Sequence, residues 1–93
     1  MNKDELLARS FAANLKRCRR EAGLSQEELS IRASLHRTAI GQLERCERLP
    51  HFSTFVKLAG SLQIEPTELL RGIEWQPGGT RLGRYRVGGR AGH

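Results

Sequence analysis

Thr38, Gln42 and Arg45 stand at i, i+4 and i+7, the spacing that puts three side chains on one face of an α-helix. Their chemistry is hydrogen bonding rather than bond making. A hydroxyl, an amide and a guanidinium suit base edges and phosphate oxygens, and Arg37 beside them can pair with both acceptors of guanine. His36 offers a ring nitrogen that can cap a helix or meet a phosphate. Leu35, Ala39, Ile40 and Leu43 recur at helical spacing in the same stretch and belong inside. Upstream, Ser25 followed three residues later by Glu28 makes a capping box, so another short helix begins there, with Leu29 and Ala33 on its inner face. A polar turn at Ser34 joins the two. The stretch 23–48 thus reads as a helix pair that offers its outer groups to DNA.

Two helices this short cannot bury their apolar faces alone, so the flanking segments must supply a core. Leu7, Phe11, Leu15, Cys18 and Ala22 form the inner stripe of a first helix that ends at Gly23. Its start is open: Asp4 caps a long helix, or Ser10 caps a shorter one and residues 1–9 are an arm or extension. Lys16, Arg17, Arg19 and Arg20 fall in its last turns, where cations suit the helix dipole, and are read as a solvated end in preference to a DNA contact. Residues 45–52, with Pro50, read as a loop. A fourth helix follows, capped by Ser53, with Phe55, Leu58, Ala59 and Leu62 inward and Ile64 continuing the core. Pro66 opens a fifth, which Gly72 ends. The expected fold is all-α: a compact five-helix domain over residues 10–71.

From residue 72 the composition turns to Gly and Arg, and a flexible basic tail is expected over 72–93. Residues 84–87 alternate like a strand. A lone strand is not stable, so it needs a partner edge, for which a second subunit is one source. Ile73 and Trp75 can fold back on the domain.

Composition narrows the function classes. Sixteen Lys plus Arg against ten Asp plus Glu leave a net charge of +6, which favours a polyanionic partner. Arg predominates among the cations, and its planar fork suits phosphate and guanine. No apolar run is long enough for a bilayer, and the first residues lack a signal-peptide core, so a cytoplasmic location is expected. Cys18 and Cys46 are read as small, partly buried apolar residues in a reducing compartment. His36, His51 and His93 are scattered, which argues against a metal, and no cofactor motif is present. There is no phosphate-cradling Gly loop, no paired carboxylates and no nucleophile with a base, so an enzyme is the weakest class.

From Leu15 to Leu70 the chain resembles the helix-turn-helix domain of the lambda/Cro-type repressors, the Xre family. The resemblance rests on G-L-S-Q-E-E-L at 23–29, I-x-Q-L-E at 40–44 and the later run LPHFSTFVKLAGSLQIEPTELL. LHRTAIGQLERCER is also similar to the controller proteins of restriction–modification systems. The resemblance implies a five-helix lambda-repressor-like fold and assigns roles. His36, Arg37 and Thr38 would open the reading helix at the major groove, with Gln42 one turn on. Of these, Arg37, Thr38 and Gln42 are the base-contacting candidates. Gln26 would contact a phosphate and brace the reading helix; a helix start independently favours an anion. Ser25, His36, Arg45 and Arg48 join it as phosphate-contacting candidates. Arg19 and Glu44 would form a buried ion pair between the first and third helices. Two departures stand out. Ser34 occupies a turn position where Gly is usual. Gly41 lies in the middle of the third helix, read either as drift or as space that brings the helix closer to DNA or frees room beside Gln42.

The function these residues imply is a sequence-specific regulator of transcription that binds double-stranded DNA. One reading helix sees only a few base pairs, so two half-sites and a homodimer are expected, reading a palindromic operator. Ile64, Leu69, Leu70 and Ile73 are the candidate dimer face, unless they only complete the monomer core. The rival is an antitoxin-like interaction module whose tail, residues 74–93, folds on a protein partner, although its basic character departs from the acidic tails common in antitoxins.

Overall fold

The computed structural model describes residues 3–88 as five helices followed by a short hairpin. Residues 1–2 and 89–93, with His93 and the end of the expected tail, lie outside the described residues. α1 spans Lys3–Glu21. Asp4 and Glu5 fall in its first turn and Arg19 and Arg20 in its last, the charge order the dipole favours. Ser10 is therefore interior to the helix rather than its cap. Phe11, Leu15 and Cys18 are buried and Leu7 half-buried. Ala22 departs from the expected stripe and is exposed, because the helix has already ended. Gly23, at φ +73°, closes it: the amides of Gly23 and Leu24 donate to the carbonyls of Arg20 and Arg19, satisfying two carbonyls that would lack helical partners.

α2 is Gln26–Arg32 and α3 is Ala39–Glu44. Both sides of the capping box are made: the Glu28 amide donates to Ser25 Oγ at 3.0 Å, and the Ser25 amide donates to Glu28 Oε1 at 2.8 Å. These bonds to its charged form hold the Glu28 carboxyl below its ordinary pKa. Ser34 sits between the helices at φ +56°, with its amide and that of Leu35 donating to the carbonyls of Ile31 and Ser30. The same left-handed closure recurs after α3 at Cys46 (φ +64°) and after α4 at Gln63 (φ +55°). Cys46 is exposed there, not partly buried as expected; Cys18 is buried, and both are free thiols.

α4 runs Phe52–Leu62, starting a residue before its expected cap, so Ser53 lies within the first turn and His51 holds the cap position. α5 is the single turn Pro66–Leu69, with Pro66 at its start. α1 packs on α3 and α5, α2 on α3 and α4, and α4 on α5. Phe11, Leu15, Leu29, Ile40, Leu43, Leu58, Leu62 and Leu69 meet in one core.

Beyond α5 the chain is not a plain flexible tail. β1 (Glu74–Gln76) pairs antiparallel with β2 (Arg84–Arg86), placing Trp75 opposite Tyr85. The rings meet edge to face, 5.1 Å between centroids. Arg86 pairs with Glu74, and Arg84 Nε donates to Gln76 Oε1. The partner edge for the expected strand thus comes from the same chain, and β2 lies near α1.

Candidate nucleic-acid interface

The outward face of α3 is fixed from its inward face. Ile40 and Leu43 are fully buried in the core, and the last residue of the helix, Glu44, carries a carboxylate whose side chain is only 2% exposed. Arg19 from α1 meets it with both arms of its fork, Nε to Oε2 at 2.6 Å and Nη2 to Oε1 at 3.0 Å. The remaining Arg19 Nη1 donates to the Leu24 carbonyl at 2.8 Å. Gln26 Nε2, at the start of α2, donates to Glu44 Oε1 at 3.0 Å. Burial alone would raise the Glu44 pKa, but the bonds from Arg19 and Gln26, with the charge of Arg19, outweigh it and hold the carboxyl below its ordinary value. The Arg19 guanidinium is correspondingly raised by its bond to Glu44. One carboxylate thereby locks α1, α2 and α3 together.

The base-directed candidates lie on the outer side of this lock. α3 begins one turn later than His36, so His36, Arg37 and Thr38 form the turn before the helix. His36 shapes that turn: its Nδ1 accepts from the Thr38 amide at 3.3 Å and lies 2.9 Å from Thr38 Oγ1. Ser30 Oγ, from buried Ser30 of α2, reaches the Arg37 carbonyl at 3.5 Å. The Gln42 amide donates to the Thr38 carbonyl and that of Arg45 to Gly41, so helical spacing holds from 38 to 45. Arg37 and Thr38 are exposed and Gln42 is half-buried. Arg45 is exposed with Nε 2.7 Å from Glu47 Oε2, and Arg48 is exposed in the loop that follows. Gln26 and Ser25 flank the same side, Ser25 with its hydroxyl oxygen engaged in the capping box.

A helix-turn-helix family model, HTH_3, matches residues 15–69, which is more than half of the chain. The chain belongs to that family. It is a DNA-binding domain of the transcription-regulator type. Over 69 residues it is 38% identical to an uncharacterized HTH-type transcriptional regulator, y4dJ, of Sinorhizobium fredii, covering 74% of this chain and 90% of that one. It is 42% identical over 60 residues to the control protein C.SmaI of Serratia marcescens, covering 64% and 71% of the two. Among solved structures, the restriction–modification controller protein C.AhdI of Aeromonas hydrophila superposes with a TM-score of 0.64 at 39% identity, covering 67% of this chain and 94% of that one. No helix among the described residues is long and apolar enough to cross a membrane.

In this helix-turn-helix domain the four residues of the candidate dimer face do not share one environment. Leu69 is fully buried and belongs to the monomer core, so it is withdrawn from the face. Ile64 is half-buried against that core. Leu70, 43% exposed, and Ile73 do line an open apolar groove of about 370 Å³ together with Leu7, Phe11, Leu49, Pro50, Phe52 and Phe55. Phe52, at the end of the expected loop 45–52, instead opens α4 and is 81% exposed.

A second polar joint leaves little trace in the sequence. Buried Asn14 donates through Nδ2 to the carbonyls of Leu69 (3.0 Å) and Arg71 (2.9 Å), satisfying the end of α5. Arg17 Nη1 donates to Asn14 Oδ1 at 2.8 Å and Nη2 to the Glu68 carbonyl at 2.9 Å. Arg17 and Arg19 are therefore structural, not part of a solvated helix end. The one available signal was Asn14 itself, a polar residue next to Leu15 on an otherwise apolar flank.

Proposed function

We propose that this chain is a sequence-specific transcriptional regulator that binds double-stranded DNA through the outer side of α3 and reads a palindromic operator as a homodimer. The observation that carries the reading is exposed Arg37 and Thr38 in the turn that opens α3, with half-buried Gln42 one turn on, beside a helix whose opposite face is fully buried and whose end is locked by Arg19, Glu44 and Gln26. A face held that rigidly presents its groups in a defined geometry, which base readout requires. Arg37 reads a guanine, while Thr38 and Gln42 contact neighbouring bases. Gln26, Arg45 and Arg48 meet phosphates and set the register, with Ser25 and His36 shaping the turns beside them. The regulators and control proteins to which the chain is similar support the same class of activity.

Selection of binding sites from a random duplex library by the full chain tests this. The expected result is a two-fold-symmetric motif with half-sites about one helical turn apart. Arg37→Ala should relax preference at one base pair of each half-site, at a cost of about 1–3 kcal/mol in discrimination. An unchanged motif in that variant removes Arg37 from base readout. A library that yields no enriched motif overturns the sequence-specific reading.

A further inference from the structure

Gly41 is buried in the middle of α3, where glycine is a poor helix former. A Cβ built on it would lie 2.8 Å from Arg45 Nη1 and 3.3 Å from Gln26 Oε1. Side chains in a helix lean back toward its N-terminus, so Arg45 runs over the residue four before it, which is Gly41. The guanidinium therefore occupies the place a side chain at 41 would fill, and the Gln26 amide borders the same place from α2. Each group is also held at its other end by a carboxylate: Arg45 Nε by Glu47 Oε2 at 2.7 Å, and Gln26 Nε2 by Glu44 Oε1 at 3.0 Å. The result is a cation and an amide brought together on the exposed side of the helix pair, with Arg45 still offering its outer N–H groups.

We propose that Gly41 is a positioning residue: its missing side chain forms the slot that seats the Arg45 guanidinium beside the Gln26 side-chain oxygen, and the outer N–H groups of Arg45 so placed take one DNA backbone phosphate. The inference rests on the DNA-binding reading above. The ligand class is a phosphodiester, because the outer N–H groups of an exposed guanidinium match its paired oxygens and carry no preference among bases, while the Gln26 oxygen that borders the slot only accepts. Glycine at 41 then shifts affinity for all duplexes alike and leaves the half-site sequence to Arg37 and its neighbours.

The test compares the wild type with Gly41→Ala, Arg45→Ala and the double variant. Each is titrated against the selected duplex and a random-sequence duplex pool at several salt concentrations. NMR signals of the Arg45 Nε–H and Gln26 side-chain amide in the free proteins report the slot without DNA. Gly41→Ala should keep or raise the melting temperature, since alanine is the better helix former. It should move both NMR signals and weaken binding to both duplexes by about tenfold, the size of one charge-assisted hydrogen bond. The slope of log affinity against log salt should fall by about one. Arg45→Ala should do the same to binding, and the double variant should be no weaker than Arg45→Ala. Wild-type affinity in Gly41→Ala overturns the proposal, as do unmoved NMR signals or fully additive losses in the double variant. A wild-type protein that binds no duplex overturns the DNA reading itself and the phosphate role with it, while the NMR signals still report whether Gly41 seats Arg45.

Discussion

Glu44 is the residue on which the placement of α3 most depends. Its side chain is 2% exposed and that of Arg19 12%, so neither charge has water to fall back on if the other is removed. Glu44→Gln keeps the shape but leaves the Arg19 fork facing a neutral amide, and should destabilise the fold by roughly 3 kcal/mol, the usual cost of stranding one member of a buried pair. Chemical denaturation at neutral pH measures it. The acid side gives a second check. The Glu44 carboxyl is held below its ordinary pKa in the fold, so its contribution is full above the unfolded value of about 4.3 and is lost as pH falls through the folded one. The stability gap between wild type and Glu44→Gln should therefore narrow below about pH 4. A gap that stays constant as pH falls well below about 4 would mean the charge of Glu44 contributes little. Arg19 and Glu44 were legible as a pair only through family resemblance, since nothing in their spacing of 25 residues announces a contact. The Asn14–Arg17–Glu68 joint had no such help, and composition alone cannot distinguish a buried arginine from a solvated one.

At the scale of elements, periodicity located all five helices, because each amphipathic stripe is a local property. Capping chemistry fixed the start of α2, and Pro66 that of α5, while the Ser53 cap falls inside the first turn of α4. What failed is what depends on neighbours. α3 starts late because His36 bonds Thr38 and holds the turn, a contact invisible in a helical wheel. The edge for β2 is not legible in the sequence because its partner, β1, lies across a Gly-rich loop in a segment whose composition suggests mobility. The turn between α2 and α3 tests a local expectation directly. Ser34 holds φ at +56°, a conformation that costs a residue with a Cβ about 1–2 kcal/mol. Ser34→Gly removes that cost while adding backbone freedom to the unfolded chain, so a net gain of about 0.5–1 kcal/mol is expected. Thermal and denaturant unfolding should both show it, with the selected DNA motif unchanged because Ser34 contributes no group to the α3 face. A loss of stability would mean that its hydroxyl, and not only its backbone, holds the turn.

For the whole molecule the open question is how one small domain reaches useful specificity. A single reading helix spans only a few base pairs, and a second copy doubles the contacts while requiring symmetry in the DNA. The groove lined by Leu7, Phe52, Phe55, Leu70 and Ile73 is where a second copy fits this reading, because contiguous apolar surface left in water is costly and most often marks an interface. Phe52 is the residue to change. At 81% exposure it adds little to the monomer core, so Phe52→Ser should leave the melting temperature of dilute monomer nearly unmoved. Sedimentation should then show a dimer for the wild type at micromolar concentration and a monomer for the variant. Binding separates association from folding: a duplex with both half-sites should lose affinity for Phe52→Ser, whereas a duplex with one half-site should bind both proteins equally. Equal losses on the two duplexes would place Phe52 in the DNA contact or the fold instead. A wild type that stays monomeric on and off DNA would move the burden of specificity to the single α3 face, and the apolar groove would then have to serve a partner other than a second copy.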